Sequence, residues 1–273
     1  MNKNEPLRIL IIGAHPDDCD IRAGGVAAKY AQAGHKVRMV SLTNGAAGHQ
    51  TMRGEALTER RREEAAAAGA VLGAEYLVLD YPDSELEPSL EARADVVRQI
   101  REFHPDLVMA PRPWDYHPDH RATGQLVTDA MYLSTVPAYL PDFEHLDHMP
   151  AAVYVWDIFK RPYPFKAAVV VAIDDVLDAK IDALHCHTSQ VYEWLPYNRG
   201  VLNEVPEGEE ERKAWLRKWI VGRFAQQAEQ YRTQLAQRYG PEIGRAARVV
   251  EAFEASEYGA PLSEEDIARL FPF

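Results

Sequence analysis

Residues 7–25 read "LRILIIGAHPDDCDIRAGG", and the fold turns on how the two halves of this stretch are joined. The first half, "LRILIIGA" (7–14), is a short β-branched run without polar alternation, the pattern of a parallel strand covered on both faces. Downstream, "GGVAAKYAQAGH" (24–35) supplies helix formers with a stop at Gly34, and "KVRMVSLT" (36–43) a second strand. The spacing predicts one strand–helix–strand unit. The alternation continues with a helix over 55–73, a strand over 75–80, a helix over 89–103 and a strand over 106–111. Such a chain builds a parallel sheet with helices on both faces and right-handed crossovers, so the expected class is α/β, a Rossmann-like three-layer fold with a mostly parallel sheet.

Beyond residue 121 the pattern predicts a helix to about 134, then a loop rich in Pro, His and acids at 136–150 and strands near 152–158 and 167–173. A helix over 174–189, a turn-rich loop at "WLPYNRG" (194–200) and a long amphipathic helix from about 208 to 239 complete the expectation. No low-complexity linker interrupts the chain. Residues 1–273 are therefore expected to form a single domain, with a Rossmann-like half over about 1–130 and a C-terminal extension over about 131–273.

In a nucleotide-binding fold of this class, a Gly-rich turn and a helix N-terminus after the first strand receive a pyrophosphate. Here Asp17, Asp18 and Asp20 occupy that position, and their charges repel phosphate and attract a cation. Ligands of such sheets bind outside the carboxyl ends of the strands, where His15, Asp17 and Asp18 fall. His-Pro-Asp then returns in "YHPDH" (116–120), again just past a predicted strand. Either copy alone reads as a turn or helix start; together, on one rim of one sheet, they point to a divided site. The tight turn stiffened by Pro16 can bring His15 and Asp18 to one cation, and His120 can complete the triad, three ligands plus water being the pattern of a catalytic zinc. His117, three residues before His120, projects to the same side.

Composition excludes several other classes. With 30 Lys and Arg against 42 Asp and Glu, the net charge of −12 opposes nucleic-acid binding, and "ERRREE" (59–64) is balanced by its own glutamates. No apolar run approaches the roughly 20 residues of a membrane-spanning helix, so no membrane insertion is expected. The N-terminal stretch lacks the segments of a secretory signal, and the two cysteines, Cys19 and Cys186, suit a reducing compartment. The expected location is cytoplasmic.

At "AHPDD" with "GG" (24–25), "AGHKVRMVSLTNG", "RREEAAAAGAVLG", "HPDHRA" and "KIDALHCHTSQ" (180–190), the sequence resembles the PIG-L, or LmbE-like, family of zinc-dependent N-acetylglucosaminyl deacetylases. The likeness is densest over 7–130, and Cys19 after "HPDD", "YPDSEL" (81–86) and Trp114 resemble the diacetylchitobiose deacetylase branch. The resemblance implies that His15, Asp18 and His120 hold Zn2+, with other divalent transition metals possible, and that Asp17 is the general base. It also implies that His117 steadies the tetrahedral oxyanion and protonates the leaving amine, with Asp119 orienting or tuning it. Cys19 is expected to be a packed, reduced thiol, since a thiolate ligand would close the position water needs.

The expected reaction is hydrolysis of an acetamide on N-acetylglucosamine or diacetylchitobiose, giving acetate and a free amine. Alternatives are the same chemistry on a conjugate, such as a low-molecular-weight thiol precursor or lipid-linked sugar, or a non-catalytic binding domain. Candidate sugar contacts are Arg61, Arg53, Asn44 and Asp83, with Trp114 or Tyr116 as an apolar face and His187 as a further polar group. The partner is thus a small acetylated aminosugar, and the branch resemblance hints at a homo-oligomer.

Overall fold

The computed structural model describes residues 5–273. The chain runs β1 (Arg8–Gly13), α1 (Asp18–Gln32), β2 (Lys36–Thr43), α2 (Glu55–Leu72), β3 (Glu75–Tyr81), α3 (Leu90–Phe103), β4 (Leu107–Ala110) and α4 (Pro118–Leu133). It continues through β5 (Ala151–Val155), β6 (Val169–Ala172), α5 (Leu177–Cys186), α6 (Leu195–Asn198), α7 (Glu209–Gln230), α8 (Arg232–Tyr239), α9 (Pro241–Ala246), β7 (Val250–Ala255) and α10 (Glu264–Leu270).

Among the described residues, seven strands form one sheet in the order β3-β2-β1-β4-β5-β7-β6. The first five are parallel, and β7 runs antiparallel between β5 and β6. Alternate residues of β1 enter two cores. Ile9 and Ile11 pack with Val26 of α1, Ile181 of α5 and Ile220 of α7. Leu10 and Ile12 pack with Val97 and Ile100 of α3 and Leu126 of α4. Helices on both faces are what an apolar parallel strand requires. Strand order reverses between β1 and β4, which opens a crevice at their carboxyl ends. Among the described residues no helix is long and apolar enough to cross a membrane.

Several elements differ from expectation for identifiable reasons. The first helix begins at Asp18, not Gly24, because Asp18 and Asp20 in its first turn suit the helix N-terminus. The paired glycines serve close packing in mid-helix: a Cβ on Gly25 would lie 2.7 Å from the Ile173 side chain. The long helix expected over 208–239 is two helices, broken at Tyr231, which is buried against the third core with Val170 and Val250. "WLPYNRG" is largely helical, since a π-turn over Ser189–Trp194 continues directly into α6. Strand β7 lies beyond the last element expected from the sequence, and its two glutamates interrupt an otherwise apolar run. Both are buried: Glu251 meets Lys180 at 2.5 Å, and Glu254 accepts from the Lys166 N–H at 2.6 Å.

Candidate active site

Gly13 closes β1, and a Cβ there would lie 2.7 Å from Asp18 Cβ and 3.2 Å from Cys19 Sγ. The absent side chain lets the first turn of α1 fold back over the strand. The His15 carbonyl accepts from the Asp17 and Asp18 N–H groups at 2.9 and 3.1 Å, and the Asp18 carboxylate accepts from Ala14 and His15 N–H at 3.1 and 2.8 Å. Beyond β4, His117 caps α4, its Nδ1 accepting from the Asp119 N–H at 3.2 Å, and Pro118 opens the helix. That start carries His120 to the mouth of the crevice.

There three donor atoms converge. His15 Nδ1 lies 3.2 Å from His120 Nε2 and 3.3 Å from Asp18 Oδ2, and His120 Nε2 lies 3.2 Å from Asp18 Oδ2. Atoms bound tetrahedrally at ~2.0–2.2 Å are separated by roughly 3.3–3.6 Å, so the triangle fits a divalent ion. The donor sets His15/His117/His120 and His15/Asp83/Asp119 also cluster, within 4.8 Å.

The opposite ring nitrogens are held as metal-binding imidazoles usually are. His15 Nε2 faces Asp119 Oδ2 at 3.3 Å and Asp83 Oδ1 at 3.4 Å, and His120 Nδ1 faces Asp115 Oδ1 at 3.0 Å. Asp119, fully buried, also accepts from the Ser84 and Leu86 N–H groups at 2.7 and 3.3 Å. This corrects the expectation that the Asp119 carboxylate orients His117: it orients His15 and touches His117 only through its backbone N–H, because α4 turns the side chain inward. Asp115, two residues before the second His-Pro-Asp, escaped the sequence reading, although an acid at that spacing was the available signal.

The carboxylates make this a cation-seeking cluster. Burial acts to lower both histidines. For His15 the Asp119, Asp18 and Asp83 carboxylates overcome it, and for His120 the Asp18 charge and bonds to Asp115 and Asp18 raise the group to about 9. Burial acts to raise Asp18, yet His120 and His15 hold it well below the usual carboxylate range. Asp17 behaves oppositely: burial first, then the Asp18 charge, push it up to about 6 against His187, Arg61 and His15. His117 is lowered by burial and by the positive charges of His15 and His120.

His15, Asp17, Arg61, Asp83, His117 and His120 line one cavity of about 400 Å³. Arg61 is buried, donating to Gln190 Oε1 at 2.7 Å and to the Gly48 carbonyl. Asp83 accepts from the Ala47 and Gly48 N–H groups at 3.1 and 3.0 Å. Four expected sugar contacts do not line the cavity. Arg53 is exposed on the loop before α2, and Asn44 is spent on Asp80 at 3.2 Å. Trp114 packs edge-on against Tyr163 at 5.3 Å, leaving exposed Tyr116 at the rim. His187 is fully buried with its Nε2 3.0 Å from Asp20 Oδ2. The rest of "HTSQ" is a clasp: Glu64 accepts from Thr188 Oγ1 and Ser189 Oγ at 2.7 and 2.6 Å, and Gln190 holds Arg61. Cys19 is a buried free thiol facing the Ile11 carbonyl at 3.5 Å, its pKa raised by burial. Arg22, Arg199 and Arg223 also line the cavity, and nothing in the sequence pattern marked them.

Comparison with known proteins adds the following. Residues 10–131 match the PIG-L family, described as GlcNAc-PI de-N-acetylase. The chain is 33% identical over 213 residues to the diacetylchitobiose deacetylase of Thermococcus kodakarensis, covering 72% of this chain and 77% of the relative. It is 29% identical over 214 residues to the 4-oxalmesaconate hydratase of Pseudomonas putida, covering 74% and 81%. The solved N,N'-diacetylchitobiose deacetylase of Pyrococcus horikoshii superposes with a TM-score of 0.67 at 28% identity, covering 92% of this chain and 84% of that one.

Proposed function

Because the chain belongs to the PIG-L family, we propose that this cavity removes the N-acetyl group from an N-acetylglucosamine-type sugar, releasing acetate and a free amine. The observation that carries the reading is the triangle of His15, Asp18 and His120 donors at 3.2–3.3 Å in one cavity with Asp17 and His117. Zinc is the ion we assign to these donors, although two imidazoles and a carboxylate accept other divalent transition metals. An ion held there would polarise the acetyl carbonyl and lower the pKa of a water towards ~7.

The protein groups divide the remaining work. Asp17, pushed up to about 6, takes a proton from the attacking water as its oxygen bonds to the acetyl carbon. His117 spends its Nδ1 lone pair on the Asp119 N–H, so its proton sits on Nε2, available to the oxygen that gains negative charge. Protonating His117 would break its cap on α4. We therefore assign amine protonation to Asp17 rather than to the imidazolium that the resemblance implied, and the C–N bond breaks as that proton arrives. Arg61 and Asp83 are the contacts we assign to sugar hydroxyls.

Acetate release from N-acetylglucosamine and diacetylchitobiose, metal-loaded and after chelation, tests the reading. Asp17→Asn should retain the ion and lose roughly 10²–10⁴ in turnover. Absence of acetate from every N-acetylated sugar would end the proposal. The hydratase likeness favours one other reading, water addition to an unsaturated acid; turnover of 4-oxalmesaconate without acetate release from any amide would establish it.

A further inference from the structure

The cavity wall holds three arginines that the proposed chemistry does not use. Arg22 comes from α1, Arg199 from the end of α6 and Arg223 from α7, and all three line the cavity with His15, His117 and His120. Among the described residues none of the three forms an ion pair, in a chain carrying 42 acidic and 30 basic side chains. Buried arginines elsewhere are more fully partnered: Arg112 is clamped by both oxygens of Asp157 at 2.6 Å, and Arg101 donates to six backbone carbonyls.

The three are nonetheless held in place. Arg22 donates to the Trp156 carbonyl at 2.9 Å, and Arg199 lies over the Trp219 ring at 4.4 Å from its centroid. Arg223 Nε is buried without a hydrogen-bond partner. Burial, then the charges of Arg22 and Arg199, push Arg223 down to about 10, which leaves it charged at neutral pH. Asp115 opposes this, but its carboxylate is committed to His120. A divalent ion at the donor triangle would sharpen the excess of positive charge. Arg199 and Arg223, with Leu195 and Trp219, also line a second cavity of about 650 Å³, so the arginines stand where the two spaces meet.

We infer that Arg22, Arg199 and Arg223 form an oxyanion subsite for a carboxylate or phosphate carried by the substrate itself, making the preferred substrate an acidic N-acetyl aminosugar rather than a neutral one. The inference rests on the deacetylase reading for the amide and on the arginines for the anion. Planar guanidinium groups with free N–H donors suit both oxyanions and give a neutral sugar no equivalent partner.

Acetate release from N-acetylglucosamine, N-acetylglucosamine 6-phosphate and N-acetylmuramic acid measures the preference, the two acidic arms separating phosphate from carboxylate. At least one acidic sugar should exceed the neutral one in kcat/KM by on the order of 10–100-fold, the scale of one hydrogen bond to a charged group. In Arg199→Gln, a change at an exposed position, and in Arg223→Gln, the ratio should fall towards one. Independently, glucose 6-phosphate should quench the fluorescence of Trp194 and Trp219 at concentrations at which glucose does not, and the Arg variants should lose this. Equal kcat/KM for all three sugars, with no Arg-dependent binding, overturns the inference while leaving the deacetylase reading standing. Arg-dependent binding of glucose 6-phosphate without acetate from any sugar supports the subsite and sinks the deacetylase reading instead.

Discussion

Asp115 does for His120 what Asp119 does for His15, fixing which ring nitrogen keeps its proton and which faces the donor triangle. Both carboxylates are within 3.3 Å of the ring they serve. Burial acts to raise the Asp115 pKa, and His120 holds it below the ordinary range, a sign of a committed partner. Asp115→Asn should therefore weaken metal affinity about 10–100-fold while leaving all three donors in place, as measured by competition with a chromophoric chelator. Unchanged affinity would mean that α4 alone orients the ring. At this scale the sequence was legible where the motif was doubled: His15, Asp17, Asp18, His117 and His120 do meet in one crevice. Asp115, Gln190 and the three cavity arginines were not legible, because their roles depend on rotamer and on which helix faces the cavity rather than on spacing along the chain.

The centre of helix α1 is gripped by an ion pair from elsewhere in the chain. Lys180 Nζ donates to the Ile21 carbonyl at 2.8 Å, Glu251 accepts from the Gly25 and Val26 N–H groups at 2.8 Å each, and Lys180 and Glu251 are both inaccessible to solvent. Removing one partner strands the other, so Lys180→Met should cost about 3–5 kcal/mol in urea denaturation. A loss within 1 kcal/mol of zero, roughly the value of an exposed pair, would refute that account. His35, in the turn after α1, accepts from the Leu7 N–H at 3.1 Å, and burial lowers its pKa against the pull of Asp106. A depressed histidine stabilises the native state above its unfolded pKa of ~6.5, and the contribution is lost as pH falls through the folded value. The denaturation midpoint of His35→Asn should thus fall less than that of wild type between pH 7 and 5. Elements with clean periodicity, β1 to β4 and α2 to α4, were readable because burial and propensity agree. Helix α1 started early and β7 was invisible, since acids at a helix start and glutamates in a strand both owe their positions to distant partners.

Across the molecule, the donor triangle joins the end of β1 to the start of α4, about a hundred residues apart in sequence. An unfolded chain cannot present that geometry, so a bound ion should stabilise only the native state. At a concentration 100 times its Kd the gain is ~2.7 kcal/mol, roughly 5–10 °C in Tm for a chain of this size. Calorimetry with and without metal should show this shift, and His120→Ala should abolish it. The overall α/β architecture followed from the strand–helix alternation, whereas the antiparallel end of the sheet did not, because no local signal says that the seventh strand will insert between the fifth and sixth. That insertion also sets an order in time. The ribosome finishes β6 about 80 residues before β7, an interval of roughly 4–16 s at ~5–20 residues per second, during which β5 has an open edge and β6 has no neighbour. The three donors we assign to an ion have all been made by residue 120, so the nascent chain carries that set while the sheet beneath it is still waiting for its penultimate strand.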